Sequence, residues 1–348
     1  MGNEMDFHRS KRLICLMPQK LGLGGPASFQ SRLISGLEKR GVEITFDPQD
    51  PAVSAILVIG GTRELGKLRQ AKRQGVRIVQ RLNGMNWVHR KRFTGIRHFL
   101  RAEAGNWILA TIRNRLAETI IYQSEFSRRW WNDARGEVAA TYAVIHNGVD
   151  LTVDSPAGVE QPPSDHYQVL VVEGHLGGGY EQGLKTAVRL TELLNRRMDK
   201  PVELTVAGDV PMKLRTAFQH AGCRIHYLGV IQRSAIPALD RSSHVLFSAD
   251  VNAACPNSVI EAMACGLPVV AFDTGALGEL VTPEAGCIAD YGGNVWNLDE
   301  PDIFALADCA QLVLENQTGY RTGARARAEQ AFSLDLMVDK YIKVLLPD

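Results

Sequence analysis

Residues 257–280 place one carboxylate inside an otherwise apolar segment, and the clearest chemistry of the sequence lies there. Residues 258–265 have the apolar spacing of a short helix, which Gly266 would end. The run 267–272 is almost entirely apolar, which is typical of a parallel strand buried on both faces. Glu261 therefore lies one turn into a helix that leads to a buried strand.

Glu261 has the chemistry to bind a sugar. A carboxylate can accept hydrogen bonds from two neighbouring ribose hydroxyls at once. The free backbone amides at the start of the same helix, at Ser258, Val259 and Ile260, can bind phosphate oxygens. The alternative is a glutamate that interacts favourably with the helix dipole and faces water. For Glu261 taken alone, the sequence leaves the two interpretations equal.

Cys255, Pro256 and Asn257 form the entry to this helix. Proline sets the backbone angle of the turn, and asparagine is a favourable N-cap residue, so we expect the Asn257 side chain to cap the helix. The backbone amides of this turn remain available for a ligand. We therefore include Cys255 and Asn257 among the candidate binding residues.

The elements around these residues predict two α/β domains. Strand-like runs alternate with helical ones throughout the 348 residues, about twice the length of a typical domain, which indicates two doubly wound parallel sheets. We predict a first domain over residues 1–153 and a linker rich in proline, serine and acidic residues over 154–166. A second domain is predicted over 167–330, and an amphipathic helix within 331–348 is expected to cross back to the first domain.

Composition excludes several other classes. No run of 18 uncharged apolar residues occurs, and the first twelve residues are too polar for a secretory signal. The six cysteines lack the spacing of zinc ligands, so we predict no metal and no disulfide framework. We therefore expect a cytoplasmic protein, with attachment to the inner face of the membrane as an alternative.

The net charge of +1 hides an uneven distribution. Through Asp150 the chain has 24 lysines and arginines against 13 acidic residues, whereas the remainder has 15 against 25. A basic first half indicates an anionic partner. Alternatively, the two halves attract each other across a cleft.

In order and spacing, several segments resemble glycosyltransferase family 4 of the GT-B fold. They are the Gly24–Gly25 turn and residues 122–128, 145–150, 207–209, 227–229, 256–270 and 274–279. The resemblance covers nearly the whole chain, and 256–270 is its most specific element. It implies two Rossmann-like domains that face each other across a cleft. It also implies hexosyl transfer from a nucleotide-sugar donor, with retention at the anomeric carbon and with no metal or other cofactor. The expected role is in cell-surface polysaccharide or lipopolysaccharide synthesis.

The sequence departs from the family pattern at the donor site. In that pattern an acidic residue that touches the donor sugar stands eight positions before the residue matched by Glu261, but this chain has Ala253 there. The family pattern also has an arginine and a lysine that bind the donor diphosphate. At these two positions this chain has His175 and Gln182. Lys185 or Arg189 could supply the missing charge, or the amides of nearby glycines could bind phosphate instead. These glycines are Gly174, Gly177, Gly178 and Gly179. The predicted donor-binding residues are Gly24, Gly25, His175, Lys185, Cys255, Asn257, Ser258, Val259 and Glu261.

Asn83, Asn86 and Trp87 are the predicted acceptor-binding residues, because they follow a strand at the edge where ligands of open α/β sheets bind. The expected acceptor is a glycan or a lipid-linked molecule. Residues 89–115 interleave basic with aromatic and aliphatic residues, which suits an anionic membrane surface. The alternative is a core-packing helix with a solvated basic face. We do not expect nucleic-acid binding, since the aromatic residues do not recur as a stacking array.

Two other functions remain open at this point. A catalytically inactive GT-B protein that acts as a scaffold is favoured by Ala253, His175 and Gln182. An epimerase or hydrolase of nucleotide sugars on the same fold has no positive signal in the sequence.

Overall fold

The structure, a computed structural model, describes residues 12–20, 22, 24–177 and 181–347. Unbroken apolar runs form a first sheet of six parallel strands, because strands buried on both faces need no polar alternation. Its strands are β1 (Leu13–Met17), β2 (Glu43–Thr45), β3 (Val53–Ile59), β4 (Arg77–Leu82), β5 (Thr119–Tyr122) and β6 (Thr141–Val144). Their order in the sheet is β2-β1-β3-β4-β5-β6.

Four helices connect these strands. They are α1 (Gly25–Glu38), α2 (Leu65–Arg73), α3 (Ile96–Arg115) and α4 (Glu125–Arg135). Pro26 favours the start of α1, since its missing N–H is not needed in the first turn. A reciprocal capping box between Ser124 and Ser127 starts α4. Both helices therefore begin at the carboxyl end of the sheet, directly after β1 and β5.

The second sheet also has six parallel strands, in the order β12-β11-β10-β7-β8-β9. Its strands are β7 (Tyr167–His175), β8 (Val202–Asp209), β9 (Ile225–Gly229), β10 (Val245–Phe247), β11 (Val269–Phe272) and β12 (Gly286–Ala289). The remaining helices are α5 (Glu181–Arg197), α6 (Met212–Ala217), α7 (Ile236–Arg241), α8 (Asn257–Ala264), α9 (Leu277–Leu280), α10 (Ile303–Glu315), α11 (Gln317–Ala331) and α12 (Leu334–Leu345). The strand order reverses between β7 and β10, which is where ligands of open α/β sheets bind. Two Rossmann-like α/β domains are confirmed.

The last helix, α12, packs on α1 in the first domain. Met337, Val338 and Tyr341 are buried in one core with Phe29 of α1. At Gly36 the two helices are so close that a Cβ atom would lie 2.3 Å from Val338 Cγ2. The chain thus returns to the first domain, as expected.

Two features of the second domain differ from the expectations. Cys287 of β12 and Cys309 of α10 form a disulfide, with 5.3 Å between their Cα atoms. The prediction of no disulfide framework did not anticipate this bond, because residues 22 apart in sequence meet only through the packing of α10 on β12. The sequence reading also missed β12, α10 and α11.

No helix within residues 12–20, 22, 24–177 and 181–347 combines the length and the apolar character that a bilayer crossing requires.

Candidate active site

A cavity of about 700 Å³ lies between the two domains, at the carboxyl ends of both sheets. The first domain contributes the turn after β1 and the loop after β4. The second contributes the carboxyl ends of β7 and β8 and residues that follow β9 and β10. The amino end of α8 completes the wall. The predicted donor and acceptor sides therefore face one space.

Glu261 lies in this wall and is largely buried. Its carboxylate accepts a hydrogen bond from Arg32 Nη2 at 2.6 Å, and this arginine comes from α1 of the other domain. The same guanidinium nitrogen lies 3.4 Å from Asp154 Oδ2. Glu261 is thus part of an ion pair between the domains and does not face bulk water, which was the alternative interpretation.

Two further charged groups lie near Glu261 and Arg32. Arg233 lies in the cavity wall and donates a hydrogen bond to Ser28 Oγ of α1. Burial and the neighbouring Arg32 lower the pKa of Arg233. Burial and repulsion from Glu261 raise the pKa of Asp154 to about 6. Two acids and two arginines are therefore crowded together, and this arrangement favours a ligand that carries both hydroxyl groups and negative charge.

Asn147 connects the domains at the start of α8. Its Nδ2 donates to Asn257 Oδ1 at 2.8 Å and to the backbone oxygen of Cys255 at 2.9 Å. The helix begins at Asn257, with Pro256 at the N-cap position and no side-chain cap. The expectation that Asn257 caps the helix was wrong, because Asn147 engages its side chain. Burial raises the pKa of the Cys255 thiol to about 12, so this sulfur stays protonated.

Arg81 fixes the loop that follows β4. It is buried, its guanidinium carbon lies 3.7 Å from the centre of the Phe29 ring, and its Nη2 donates to Asn147 Oδ1 at 2.7 Å. Its Nη1 donates to Asn83 Oδ1 at 3.0 Å, which orients one predicted acceptor residue. The Nε atom of Arg81 is buried and has no partner among the described residues. Arg81 is thus a buried cation on the cavity wall.

Several predicted residues line the cavity. They are Gly24, Gly25, Asn83, Trp87, Cys255, Asn257, Ser258 and Glu261. Ala253 also lines it, next to Asn252. Gly275, whose φ is +62°, lets the chain pass so close that a Cβ atom would lie 2.5 Å from the backbone oxygen of Ala253. This contact holds the Ala253 segment in place.

Other predicted residues lie elsewhere. Val259 is buried in the apolar core, and Asn86 donates from its backbone N–H to Asn106 Oδ1 at 3.0 Å. His175 pairs with Asp209 at 2.8 Å, and Lys185 is exposed on α5. Gln182 Nε2 donates to Glu300 at 3.3 Å. Gly174 lines the cavity and Gly177 lies beside the His175 ring, whereas Gly178 and Gly179 lie outside the described residues.

Aromatic side chains from both domains meet beside the cavity. Trp296 of the second domain lies 5.1 Å from Trp87 and 5.0 Å from Trp130, measured between ring centres. Trp87 and Trp130 also line the cavity. This aromatic cluster of Trp87, Trp130 and Trp296 gives one side of the cleft an apolar surface on which a sugar ring can pack.

Glu279 forms a second link between the domains. Its carboxylate accepts hydrogen bonds from His146 Nε2 at 2.7 Å and from the backbone N–H groups of Glu125 and Phe126. Although burial opposes it, these hydrogen bonds lower the pKa of Glu279. Glu279 thus caps α4 of the opposite domain.

Sequence reasoning did not select Arg32 or Arg233 as site residues. Both lie in helical or loop segments without a motif, and their position depends on how the domains meet. Asn147 lies within a segment quoted for the resemblance, and Arg81 precedes the quoted acceptor residues. The signal for these last two was therefore present, since buried polar residues at the ends of parallel strands collect at one edge.

Comparisons with known proteins agree with this geometry. Residues 168–316 match the family described as Glycosyl transferases group 1. The chain is 29% identical over 220 residues to the GDP-mannose-dependent alpha-(1-6)-phosphatidylinositol dimannoside mannosyltransferase of Mycobacterium tuberculosis, strain H37Ra. The match covers 61% of this chain and 53% of that protein, so the chain matches only about half the length of this relative.

The solved structures support the fold. Sucrose-phosphate synthase from Thermosynechococcus elongatus superimposes with a TM-score of 0.71 at 16% identity, over 95% of this chain and 97% of that one. Anabaena HepE, in complex with UDP and glucose, gives 0.68 at 17% identity, over 96% and 99%. WaaG, a glycosyltransferase involved in lipopolysaccharide biosynthesis, gives 0.69 at 12% identity, over 97% and 100%. The chain has the GT-B fold, and its residues 168–316 are similar to glycosyltransferases. The part that matches the family is the second domain, which contains Glu261 and α8.

Proposed function

We propose that this GT-B protein transfers a hexose from a nucleotide-sugar donor to a hydroxyl of a glycan or lipid-linked acceptor. The observation that carries the proposal is the position of Glu261 in the wall of a cavity between the domains, one turn into α8 and near Arg233. The relative from Mycobacterium is named as GDP-mannose-dependent, and HepE was solved with UDP and glucose. These names support a nucleotide-sugar donor for this chain.

The residues at the cavity suggest how the donor is held. The Glu261 carboxylate would accept the ribose hydroxyls, while the first amides of α8 and the Arg233 guanidinium would lie near the diphosphate. Charge that develops on the departing diphosphate would be stabilised by these same donors. The acceptor would then enter from the side of Asn83 and Trp87, which line the opposite wall.

Retention at the anomeric carbon without a metal ion is part of this proposal. In such a transfer the leaving phosphate can take the proton of the acceptor hydroxyl, so a dedicated general base is not required. The NMR coupling constant at the anomeric carbon of the product tests retention. Activity that survives EDTA and dialysis would support metal independence, whereas activity restored only by a divalent cation would contradict it.

Nucleotide binding is the most direct test. We expect UDP, GDP or one of their sugar conjugates to raise the melting temperature in a thermal-shift screen, since a ligand of the native state stabilises it. In calorimetry Glu261→Gln should weaken binding at least tenfold, because each hydrogen bond to a charged acceptor contributes about 1.5–3 kcal/mol. The control is Glu203→Gln, which removes a carboxylate near the opposite end of the second sheet. Equal affinity of the Glu261 variant and the parent would contradict the site. A parent that binds no nucleotide would favour the inactive scaffold.

We propose further that the segment 89–115 lies against an anionic membrane surface. Phe93, Ile96, Leu100 and Trp107 are all at least 60% exposed, which is unusual for large apolar side chains grouped on one helix and its preceding turn. Arg97 and Arg101 are exposed beside them on α3. This combination fits a surface of apolar chains and anionic head groups.

Not every basic residue of the segment is available for lipid. Arg90 binds both carboxylate oxygens of Glu103, at 2.6 and 2.7 Å, and lowers the pKa of Glu103 to about 2, with a further hydrogen bond from His89. Arg97 and Arg101 are therefore the residues to replace. Liposome sedimentation should show that changing both to glutamine weakens binding to anionic vesicles, and that added salt weakens the binding of the parent. Equal partition of the parent to neutral and anionic vesicles would contradict the proposal.

A further inference from the structure

Two carboxylates lie where the strand order of the second sheet reverses. Glu173 is near the carboxyl end of β7, and Asp250 follows the neighbouring strand β10. Both line the cavity, and the backbone N–H of Asp250 donates a hydrogen bond to the Glu173 carboxylate. Neither residue belongs to the motifs that carry the family resemblance.

The pair is unusual because no cation among the described residues compensates it. Within the described part of the chain, the groups that act on the Glu173 carboxyl are the Asp250 carboxyl and its backbone amide. Burial and the repulsion from Asp250 raise the pKa of Glu173 well above its ordinary value, and burial raises the pKa of Asp250 to about 6. The two carboxyl groups therefore retain a proton more readily than isolated carboxyl groups do. Such a pair can both accept and donate hydrogen bonds.

A third polar group lies in the same wall. Asn252 is 4% exposed and lines the cavity, and its amide nitrogen Nδ2 is buried with no hydrogen-bond partner among the residues that the structure describes. A buried donor without an acceptor is costly, so an acceptor that enters the cavity would be bound favourably at this point. The next residue is Ala253, which offers only a methyl group.

The chemistry of these three residues matches neutral hydroxyl groups. Two carboxyl groups would repel the oxygens of a diphosphate. The diphosphate is better suited to the part of the cavity near Arg233 and the amino end of α8. A hexose has adjacent hydroxyls that both donate and accept, and these complement a carboxyl pair that retains a proton and an amide that donates. The sugar part of a donor is the component that fits.

We propose that Glu173, Asp250 and Asn252 bind the hydroxyls of the donor sugar and determine which sugar is accepted, in place of a carboxylate at position 253. This inference rests on the proposed transferase function. It assigns a specificity role to residues on β7 and on the loop after β10, whereas the nucleotide is assigned to Glu261 and α8.

The test compares a nucleotide with its sugar conjugates. Calorimetry measures the affinity of UDP, GDP and a panel of UDP- and GDP-linked hexoses for the parent and for Glu173→Gln, Asp250→Asn and Asn252→Ala. We expect each variant to bind the preferred nucleotide sugar about tenfold more weakly or worse, with the affinity for the bare nucleotide unchanged within twofold. Glu203→Gln should leave both affinities as in the parent. Thermal unfolding of every variant checks that the fold is retained.

The outcomes separate this inference from the function on which it rests. If the parent binds the nucleotide but the variants lose affinity for the nucleotide and its sugar conjugate equally, or lose neither, the three residues do not bind the sugar. The same holds if no attached sugar changes the affinity of the parent. If the parent binds no nucleotide at all, the proposed function fails and the sugar assignment fails with it. Asp250→Asn and Glu173→Gln preserve side-chain shape, so a lost sugar preference reports on charge and hydrogen bonding.

Discussion

Replacing Arg32 with methionine should destabilise the protein through the interface between its domains. Arg32 Nη2 lies 2.6 Å from Glu261 Oε1 and 3.4 Å from Asp154 Oδ2, and the side chains of all three residues are at most 11% exposed. Removing one partner of a buried ion pair leaves the other charge without compensation, which costs about 3–5 kcal/mol. Because Arg233 remains nearby and compensates part of this charge, we expect a loss of about 3 kcal/mol in the free energy of unfolding.

A double-mutant cycle isolates the pair. Arg32→Met and Glu261→Gln should each destabilise the protein, and the double variant should lose about 2 kcal/mol less than the sum of the two single losses. Scanning calorimetry is the suitable measurement, since it also shows whether the two domains unfold together. The cycle therefore measures how strongly this contact couples the domains.

The matched control lies just beyond the same helix. Arg40 binds Asp335 and Asp339 of α12 at 3.0 and 2.7 Å, but both carboxylates are more than half exposed. Solvent weakens such pairs, so Arg40→Met should cost less than about 1 kcal/mol. If Arg32→Met costs no more than Arg40→Met, or if the cycle is additive within about 0.5 kcal/mol, the buried pair does not stabilise the interface.

Three further predictions concern stability. The pKa of Asp154 is raised to about 6 in the folded state, so its protonation stabilises the fold at low pH, and this stabilisation is lost as the pH rises through 6. In thermal unfolding, Asp154→Asn should therefore be up to about 2–3 kcal/mol more stable than the parent at pH 7.5, but not at pH 4. Glu279→Gln should cost about 1–2 kcal/mol in the same assay at neutral pH, because it weakens the cap on α4. Gly36→Ala should lower the free energy of unfolding by about 1–3 kcal/mol, because the new methyl group would clash with Val338. The control is Gly66→Ala in α2, where a Cβ atom meets no neighbour, and it should stabilise the protein by about 0.5–1 kcal/mol. Equal effects of the two variants would contradict the close approach of α1 and α12.

Local patterns predicted most elements of the fold. The apolar runs of β1, β3 and β11 are buried along nearly their whole length, and a strand of this kind is recognisable without knowledge of its neighbours. The helix that contains Glu261 was recognised in the same way, since its apolar face is continuous. These elements encode their structure within a few consecutive residues.

The elements that were missed lack such a local signal. In α11 the buried residues are Ala324 and Ala328, and alanine at this spacing in a polar helix gives little hydrophobic contrast. The strand β12 is four residues long and begins at Gly286, where a Cβ atom would lie 2.0 Å from the backbone oxygen of Val269. Both elements depend on packing against the rest of the second domain.

Partners across the domain interface were also beyond local reasoning. The sequence indicated that Glu261 belongs to a site, yet its hydrogen-bond donor, Arg32, is 229 residues away in the chain. Asn257 has the residue type of a helix cap, but its side chain accepts from Asn147. In each case the local interpretation gave a polar residue a partner within its own segment, and contact between the domains provided a different one.

The uneven charge of the two halves has a structural explanation in these contacts. Arg32 of the basic half meets Glu261 and Asp154 of the acidic half, so part of the opposite charge holds the cleft together. The alternative that the halves attract each other is therefore supported at the interface. Arg97 and Arg101, together with the exposed apolar residues of α3, take no part in these interdomain pairs. Their charge is left for an external partner, which is why the membrane proposal rests on α3 rather than on the net charge of the first domain.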